Sequence, residues 1–330
     1  MRMELQPGAK PFDQATAHLP GEIAALLGGV HADLRSRVTE IRMRAGGALT
    51  LTTPEGVWFF TTAGRPTPLL PSPCLRLTGA QLQQVLRQLC EYSIHSFADE
   101  IVQGFVTLPG GHRAGICGTA VAENGKITAV RAFSSINLRV AREVPGAAAE
   151  LCAQLFAEGR LPGVLVAGVP GSGKTTLLRD LARRISEGVH GPCRRVCLLD
   201  ERGELAGARN GTPCCNVGAG TDVLTGYPKG EGVLLALRSL APEVILCDEL
   251  GGAADIAALE TGGRAGVRFV ATIHAGSAEE ALAKPALQPL LAEGVFDALV
   301  QLRGADCPCA IAKIADLRER NVKCRSNTLR

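Results

Sequence analysis

The run Gly168-Val-Pro-Gly-Ser-Gly-Lys-Thr175 constrains this 330-residue chain more than any other stretch. It matches GxxxxGK[ST] in full, with the apolar residues 164–167 before it and the helical segment Thr176-Leu-Leu-Arg-Asp-Leu-Ala-Arg-Arg after it. That is the strand–loop–helix context in which the pattern holds phosphate. Glycines at 168, 171 and 173 let backbone N–H groups turn inward around phosphate oxygens, and the helix N-terminus adds partial positive charge. Gly168, Val169, Pro170, Gly171, Ser172, Gly173, Lys174, Thr175 and Thr176 are therefore the expected nucleotide-binding positions. Lys174 is expected to reach the β- and γ-phosphates, and the Thr175 hydroxyl to ligate Mg²⁺.

A nucleotide site needs a second metal anchor at a strand end. Val244-Ile-Leu-Cys-Asp248-Glu249 places an Asp after four apolar residues, at the carboxyl end where open α/β sheets bind ligands. Asp248 is expected to hold the metal, and Glu249 to orient water or accept its proton. Asn-Lys-x-Asp is absent, so guanine specificity has no support and ATP is the expected nucleotide. Two further apolar runs end in polar groups: Val196-Cys-Leu-Leu-Asp200-Glu201-Arg202-Gly203-Glu204 and Phe269-Val-Ala-Thr272-Ile-His274-Ala-Gly-Ser277. Continuous apolar strands at 164–167, 196–199, 244–247 and 269–273 alternate with helical segments at 175–186, 233–240 and 254–260. This reads as a mainly parallel sheet covered on both faces.

The first half is patterned differently. Residues 1–20, with Pro7, Pro11 and Pro20, read as a flexible leader, and 21–44 show helical periodicity. Strands are expected near 48–52 and 57–61, a helix after the N-cap Thr78, a short helix capped by Ser96, and an antiparallel meander from Phe105 to Phe133 with an Asn124-Gly125 turn. The expected domains are thus an N-terminal α+β domain at 21–147, with a PAS-like form open for it, an ATPase-type domain at 148–320 and a basic tail at 321–330. At roughly 150 residues per domain, the length agrees with two.

Lys and Arg total 35 against 32 Asp and Glu, a balance too even to steer the whole molecule onto nucleic acid, and aromatics are only 4%. No nucleic-acid partner is expected. Twelve cysteines form no CxxC pair, so buried reduced thiols are expected rather than disulfides or zinc. No signal peptide and no apolar run of the ~20 residues that span a bilayer are visible, so a cytoplasmic location is expected.

The order of P-loop, acidic box (Asp200 to Glu204), Leu237-Arg238-Ser-Leu-Ala-Pro242-Glu-Val-Ile-Leu-Cys-Asp248-Glu249 and Thr272-Ile-His274-Ala-Gly-Ser277 resembles the secretion ATPases of type II and type IV systems. Glu91 to Glu100, Gly104 to Gly115, Ser134 to Glu143 and Asp222 to Glu231 are similar to the stage III sporulation protein AA family. The resemblance implies a RecA-like P-loop core and a hexamer that uses ATP and Mg²⁺. It further implies a location on the mother-cell side of a forming endospore, where the ATPase docks on membrane components of a channel. It assigns Glu201 and Glu204 to organising metal and water, His274 to sensing the γ-phosphate, and Arg139 and Arg142 to approaching the nucleotide. One departure stands out: the family pattern Asp-Glu-Ile-Gly-Arg reads here Asp248-Glu-Leu-Gly-Gly252. An ATP-binding assembly scaffold with little turnover and a RecA-like nucleic-acid motor are the alternatives.

Overall fold

The computed structural model describes residues 10–208 and 211–318, and the chain divides into two units between Arg142 and Glu143. The expected basic tail at 321–330 lies outside the described residues.

The first unit opens with α1 (Lys10–Thr16), α2 (Gly21–Gly28) and α3 (Ala32–Arg37). The flexible leader is corrected from residue 10 onward: Phe12, Ala15 and Leu19 are buried in this unit's core. Pro11 falls in the first turn of α1, where a missing N–H costs nothing. The helical periodicity over 21–44 is carried by α2 and α3 and gives way to β1 at Glu40. Gly28-Gly29 ends α2, and Val38 and Ile41 reach the same core from extended chain.

The strands are β1 (Glu40–Arg44), β2 (Thr50–Thr53), β3 (Gly56–Phe60) and β4 (Pro66–Thr67). Helices α4 (Gly79–Leu89) and α5 (Ala98–Val102) follow, then β5 (Phe105–Leu108), β6 (His112–Glu123) and β7 (Lys126–Arg139). The sheet order is β4-β3-β2-β1-β7-β6-β5, antiparallel throughout. Asn124 and Gly125 both take positive φ (51° and 76°), as a tight hairpin turn requires. Thr78 and Gln81 form a reciprocal capping box on α4, whose Leu82, Val85, Leu86 and Leu89 are buried. Ser96 is not the cap of α5: its hydroxyl pairs with Ser93, and α5 starts after a 3₁₀ turn over Ile94–Phe97.

The second unit contains α6 (Ala149–Leu155), β8 (Val164–Gly168), α7 (Lys174–Ser186), β9 (Val196–Asp200), β10 (Thr221–Thr225) and α8 (Lys229–Ser239). It continues with β11 (Val244–Cys247), α9 (Ala253–Arg264), β12 (Arg268–His274), α10 (Ala278–Ala283), α11 (Gln288–Glu293), β13 (Ala298–Gly304) and β14 (Cys307–Asp316). The order is β10-β9-β11-β12-β8-β13-β14, with every pairing parallel except the β13–β14 hairpin.

Alternate strand residues serve two cores. Val164, Val166, Val196, Leu198, Val244 and Leu246 pack on one face with Leu177, Leu178 and Leu181 of α7. Leu165, Ala167, Cys197, Leu199, Ile245 and Cys247 pack on the other with Val233 of α8 and Leu259 of α9. Burial on both faces is why these strands are apolar without alternation. Strands β10 and β14 escape the sequence reading because they are half-exposed edges without a continuous apolar run, and β13 escapes it because its buried Ala298-Leu-Val run is only three residues long before Gln301.

Candidate functional site

Because the strands are parallel, the carboxyl ends of β8, β9, β11 and β12 share one sheet edge, and the polar clusters follow those ends. The loop from Gly168 to Gly173 joins β8 to α7. Gly171 and Gly173 take φ of 77° and 89°, the left-handed region that favours glycine. Gly168 has a different reason: a Cβ there would come within 2.4 Å of Oγ of Ser172, a buried hydroxyl without a hydrogen-bond partner among the described residues. The β13–β14 hairpin backs the loop. Cys309 N–H donates to the Ser172 carbonyl at 2.8 Å, and a Cβ on Gly173 would stand 2.6 Å from that nitrogen.

Lys174 is buried at 7% exposure, and its Nζ donates to the carbonyls of Gly168 (2.8 Å) and Val169 (3.0 Å). Burial pulls its pKa below that of an ordinary lysine, against the opposing charges of Asp248 and Glu249. Nζ also lies 3.2 Å from Nδ1 of His274. An ammonium has no acceptor, so Nδ1 accepts and the ring proton sits on Nε2, 3.1 Å from Oε1 of Glu249.

At the end of β11, Asp248 receives the hydroxyls of Thr175 (3.2 Å, on Oδ2) and Thr272 (2.5 Å, on Oδ1). Thr272 also accepts the Glu249 N–H at 2.8 Å. Glu249 has φ of 39°, uncommon for a non-glycine residue. Its Oε2 receives Nη1 of Arg202 at 2.8 Å.

The acidic box separates into different fates. Asp200 is buried and accepts the backbone N–H groups of Glu204, Leu205, Ala206 and Gly207 at 2.8–3.1 Å, which folds the following loop back on it. Glu201 pairs with the buried Lys229 at the start of α8. Glu204 lines the cleft beside the P-loop, and its carbonyl accepts from Arg179. Gly252 caps α9 with extended backbone, and the nearest atom to a Cβ there would be 3.7 Å away, so space does not demand glycine. Arg139 and Arg142 end the first unit, where Arg139 pairs with Glu40 at 3.3 Å and Arg142 donates to the Val38 carbonyl at 2.6 Å. Burial lowers the pKa of Arg142.

Pro170, Gly171, Gly173, Lys174, Thr175, Thr176, Arg202, Glu204, Asp248, Glu249, His274 and Pro308 line a cleft of about 460 Å³, within the usual range for a small-molecule site. The oxygens of Thr175 and Asp248 are hard donors, and Mg²⁺ is commonly held by one or two such protein oxygens together with phosphates and water. The residues fit that ion. Among the described residues no group of three or more His, Cys, Asp or Glu forms a metal cage. The described cysteines form no disulfide. Burial pushes the thiols of Cys152, Cys197 and Cys247 up to about 12, whereas Cys117, Cys193 and Cys307 are exposed, which corrects the expectation of burial for those three. No helix among the described residues is long and apolar enough to cross a membrane.

Thr272, Arg202 and Lys229 join the site without a role assigned from the sequence, and the hairpin behind the P-loop has no local sequence signal. For Thr272 the signal was there: a hydroxyl inside an apolar strand next to an acidic strand end.

The fold is that of known ATPases. The X-ray structure of the ATPase DotB from Yersinia pseudotuberculosis superposes with a TM-score of 0.55 at 16% identity, covering 88% of this chain and 81% of that one. DotB from Legionella pneumophila gives 0.50 at 15% identity, over 80% and 72%. The second unit is accordingly a RecA-like P-loop core. In sequence, stage III sporulation protein AA of Bacillus subtilis is 36% identical over 250 residues, 76% of this chain and 81% of that protein. The model of the family described as sporulation stage III, protein AA, matches residues 12–322, and the chain belongs to that family.

Proposed function

We propose that the chain is a magnesium-dependent ATPase, and that it acts as a homo-hexamer on the mother-cell side of a sporulation channel, docked on membrane components. One observation carries the catalytic part: the Thr175 and Asp248 oxygens stand 3.2 Å apart under the P-loop, with Glu249 next in sequence and tethered to His274.

The backbone N–H groups of the loop and Lys174 bind the phosphates. Glu249 accepts a proton from water as its oxygen attacks the γ-phosphorus and the bond to the ADP oxygen breaks. His274 spans Lys174 and Glu249, so a change at the γ-phosphate reaches both. Thr175 and Asp248 would hold the magnesium ion, which would supply charge neutralisation of the phosphate oxygens. Glu201 and Glu204 are assigned to ordering that acidic edge. Arg139 and Arg142 enter as nucleotide-sensing arginines on the resemblance alone.

Phosphate release by the purified chain, with and without DNA, tests this reading. Turnover indifferent to DNA and abolished in Lys174→Ala supports it. Binding without turnover favours a scaffold, and DNA stimulation favours a nucleic-acid motor. Sizing with a non-hydrolysable ATP analogue tests the hexamer.

A further inference from the structure

The cleft holds two cations in different circumstances. Lys174 is buried, with its three donors spread over Gly168, Val169 and His274. Arg202 is 66% exposed, and among the described residues its guanidinium has one partner, Oε2 of Glu249. A guanidinium has five N–H donors in a planar fork that suits phosphate, so most of Arg202's capacity is unspent. Arg202 lines the same cleft as the P-loop, and Gly203 beside it has φ of 67°. A terminal phosphate carries more charge than one carboxylate and presents more acceptor oxygens.

We propose, resting on the ATPase reading above, that Arg202 is a phosphate-binding residue that Glu249 and the terminal phosphate share in turn. Before nucleotide enters, Arg202 and His274 hold the Glu249 carboxylate by one oxygen each. With ATP in the cleft, Arg202 moves onto the γ-phosphate, and Oε2 of Glu249 becomes available to the attacking water. The γ-phosphate is thereby recognised from within the same subunit, by a side chain that also restrains the base until substrate arrives.

The test is calorimetric binding of ATPγS and of ADP, each with Mg²⁺, to the full chain. Arg202→Ala is expected to weaken ATPγS about tenfold, the loss of one charge-assisted contact, and to leave ADP within about twofold. Arg202→Lys is expected to recover part of the difference. Glu249→Gln removes the competitor for the guanidinium, so ATPγS tightens, and it tightens less in the Arg202→Ala background. Equal losses for both nucleotides in Arg202→Ala, or equal tightening with and without Arg202, overturn the proposal. If the wild-type chain binds neither nucleotide, the ATPase reading itself fails. If it binds both and Arg202→Ala discriminates as wild type does, only the role of Arg202 fails. Melting curves of the variants separate these outcomes from misfolding, because so exposed a side chain contributes little to stability.

Discussion

The Thr272 hydroxyl donates to Oδ1 of Asp248 at 2.5 Å, across the parallel pairing of β12 with β11. The same oxygen accepts the Glu249 N–H, so one side chain orients the candidate metal ligand and the backbone of the candidate base. Thr272→Val keeps the shape and removes the hydroxyl. It is expected to cost about 1–3 kcal/mol of stability and to raise the Mg²⁺ concentration at half-maximal turnover, with Thr272→Ser close to wild type. A magnesium titration of ATPase activity and a urea melt check both.

Glu249→Gln retains size and loses the basic oxygen. Turnover is expected to fall about 10²–10⁴-fold with nucleotide still bound, because that is the range a positioned general base contributes. Single-turnover phosphate release reads it. Wild-type rates in this variant would remove Glu249 from the mechanism.

Gly173→Ala places a Cβ 2.6 Å from the Cys309 nitrogen at a residue with φ of 89°. Neither the backbone of β14 nor the dihedral accommodates it. A destabilisation of about 1–3 kcal/mol is expected, with weakened nucleotide binding, since the loop must shift to relieve the contact. Gly125→Ala, at a hairpin tip of the other unit with no described residue within 4 Å of the new Cβ, is the control for strain without displacement of the site.

Asp200→Asn tests the acidic box. The carboxylate accepts four backbone N–H groups with two oxygens, while an amide offers one oxygen and turns an NH₂ toward donors. Stability is expected to drop by at least about 2 kcal/mol, measured by denaturant unfolding, with the loop over residues 201–207 losing amide protection first.

His112, fully buried in the first unit, has its pKa pushed down to about 4, by burial first and by His18 second. Its Nδ1 accepts the Ala141 N–H at 3.0 Å. The folded state binds this proton less readily than the unfolded state, so the neutral ring's contribution is complete above pH 6.5 and is lost as pH falls from 6.5 toward 4. A loss of about 3 kcal/mol over that window is expected from this group. Urea midpoints between pH 4 and 7 measure it, and His112→Gln flattens the dependence.

The strand–loop–helix around the P-loop was legible because everything it needs lies within a dozen residues: glycines for the turn, an apolar strand before it and a helix start after it. The strands buried on both faces were legible for a similar reason, since each carries an unbroken apolar run. The helical periodicity over 21–44 holds for α2 and α3 and stops at β1, because the spacing of Val38 and Ile41 also suits extended chain that faces the same core. The short leader helix was missed because seven residues with a proline give too little periodicity to register.

The contrast between Asp200 and Asp248 separates what the chain's order of residues determined from what the fold decided. Both follow four apolar residues and both precede a Glu, so composition and spacing establish two acidic strand ends on one edge of a parallel sheet. What each acid does depends on its neighbours in space. Asp248 sits beside β12, where Thr272 and Thr175 turn it toward the P-loop, whereas the Asp200 carboxylate is enclosed by the N–H groups of its own following loop. Local pattern specifies the strand and its polar end; the partner across the sheet is set by strand order, a pairing between segments far apart in the chain that no window of sequence contains.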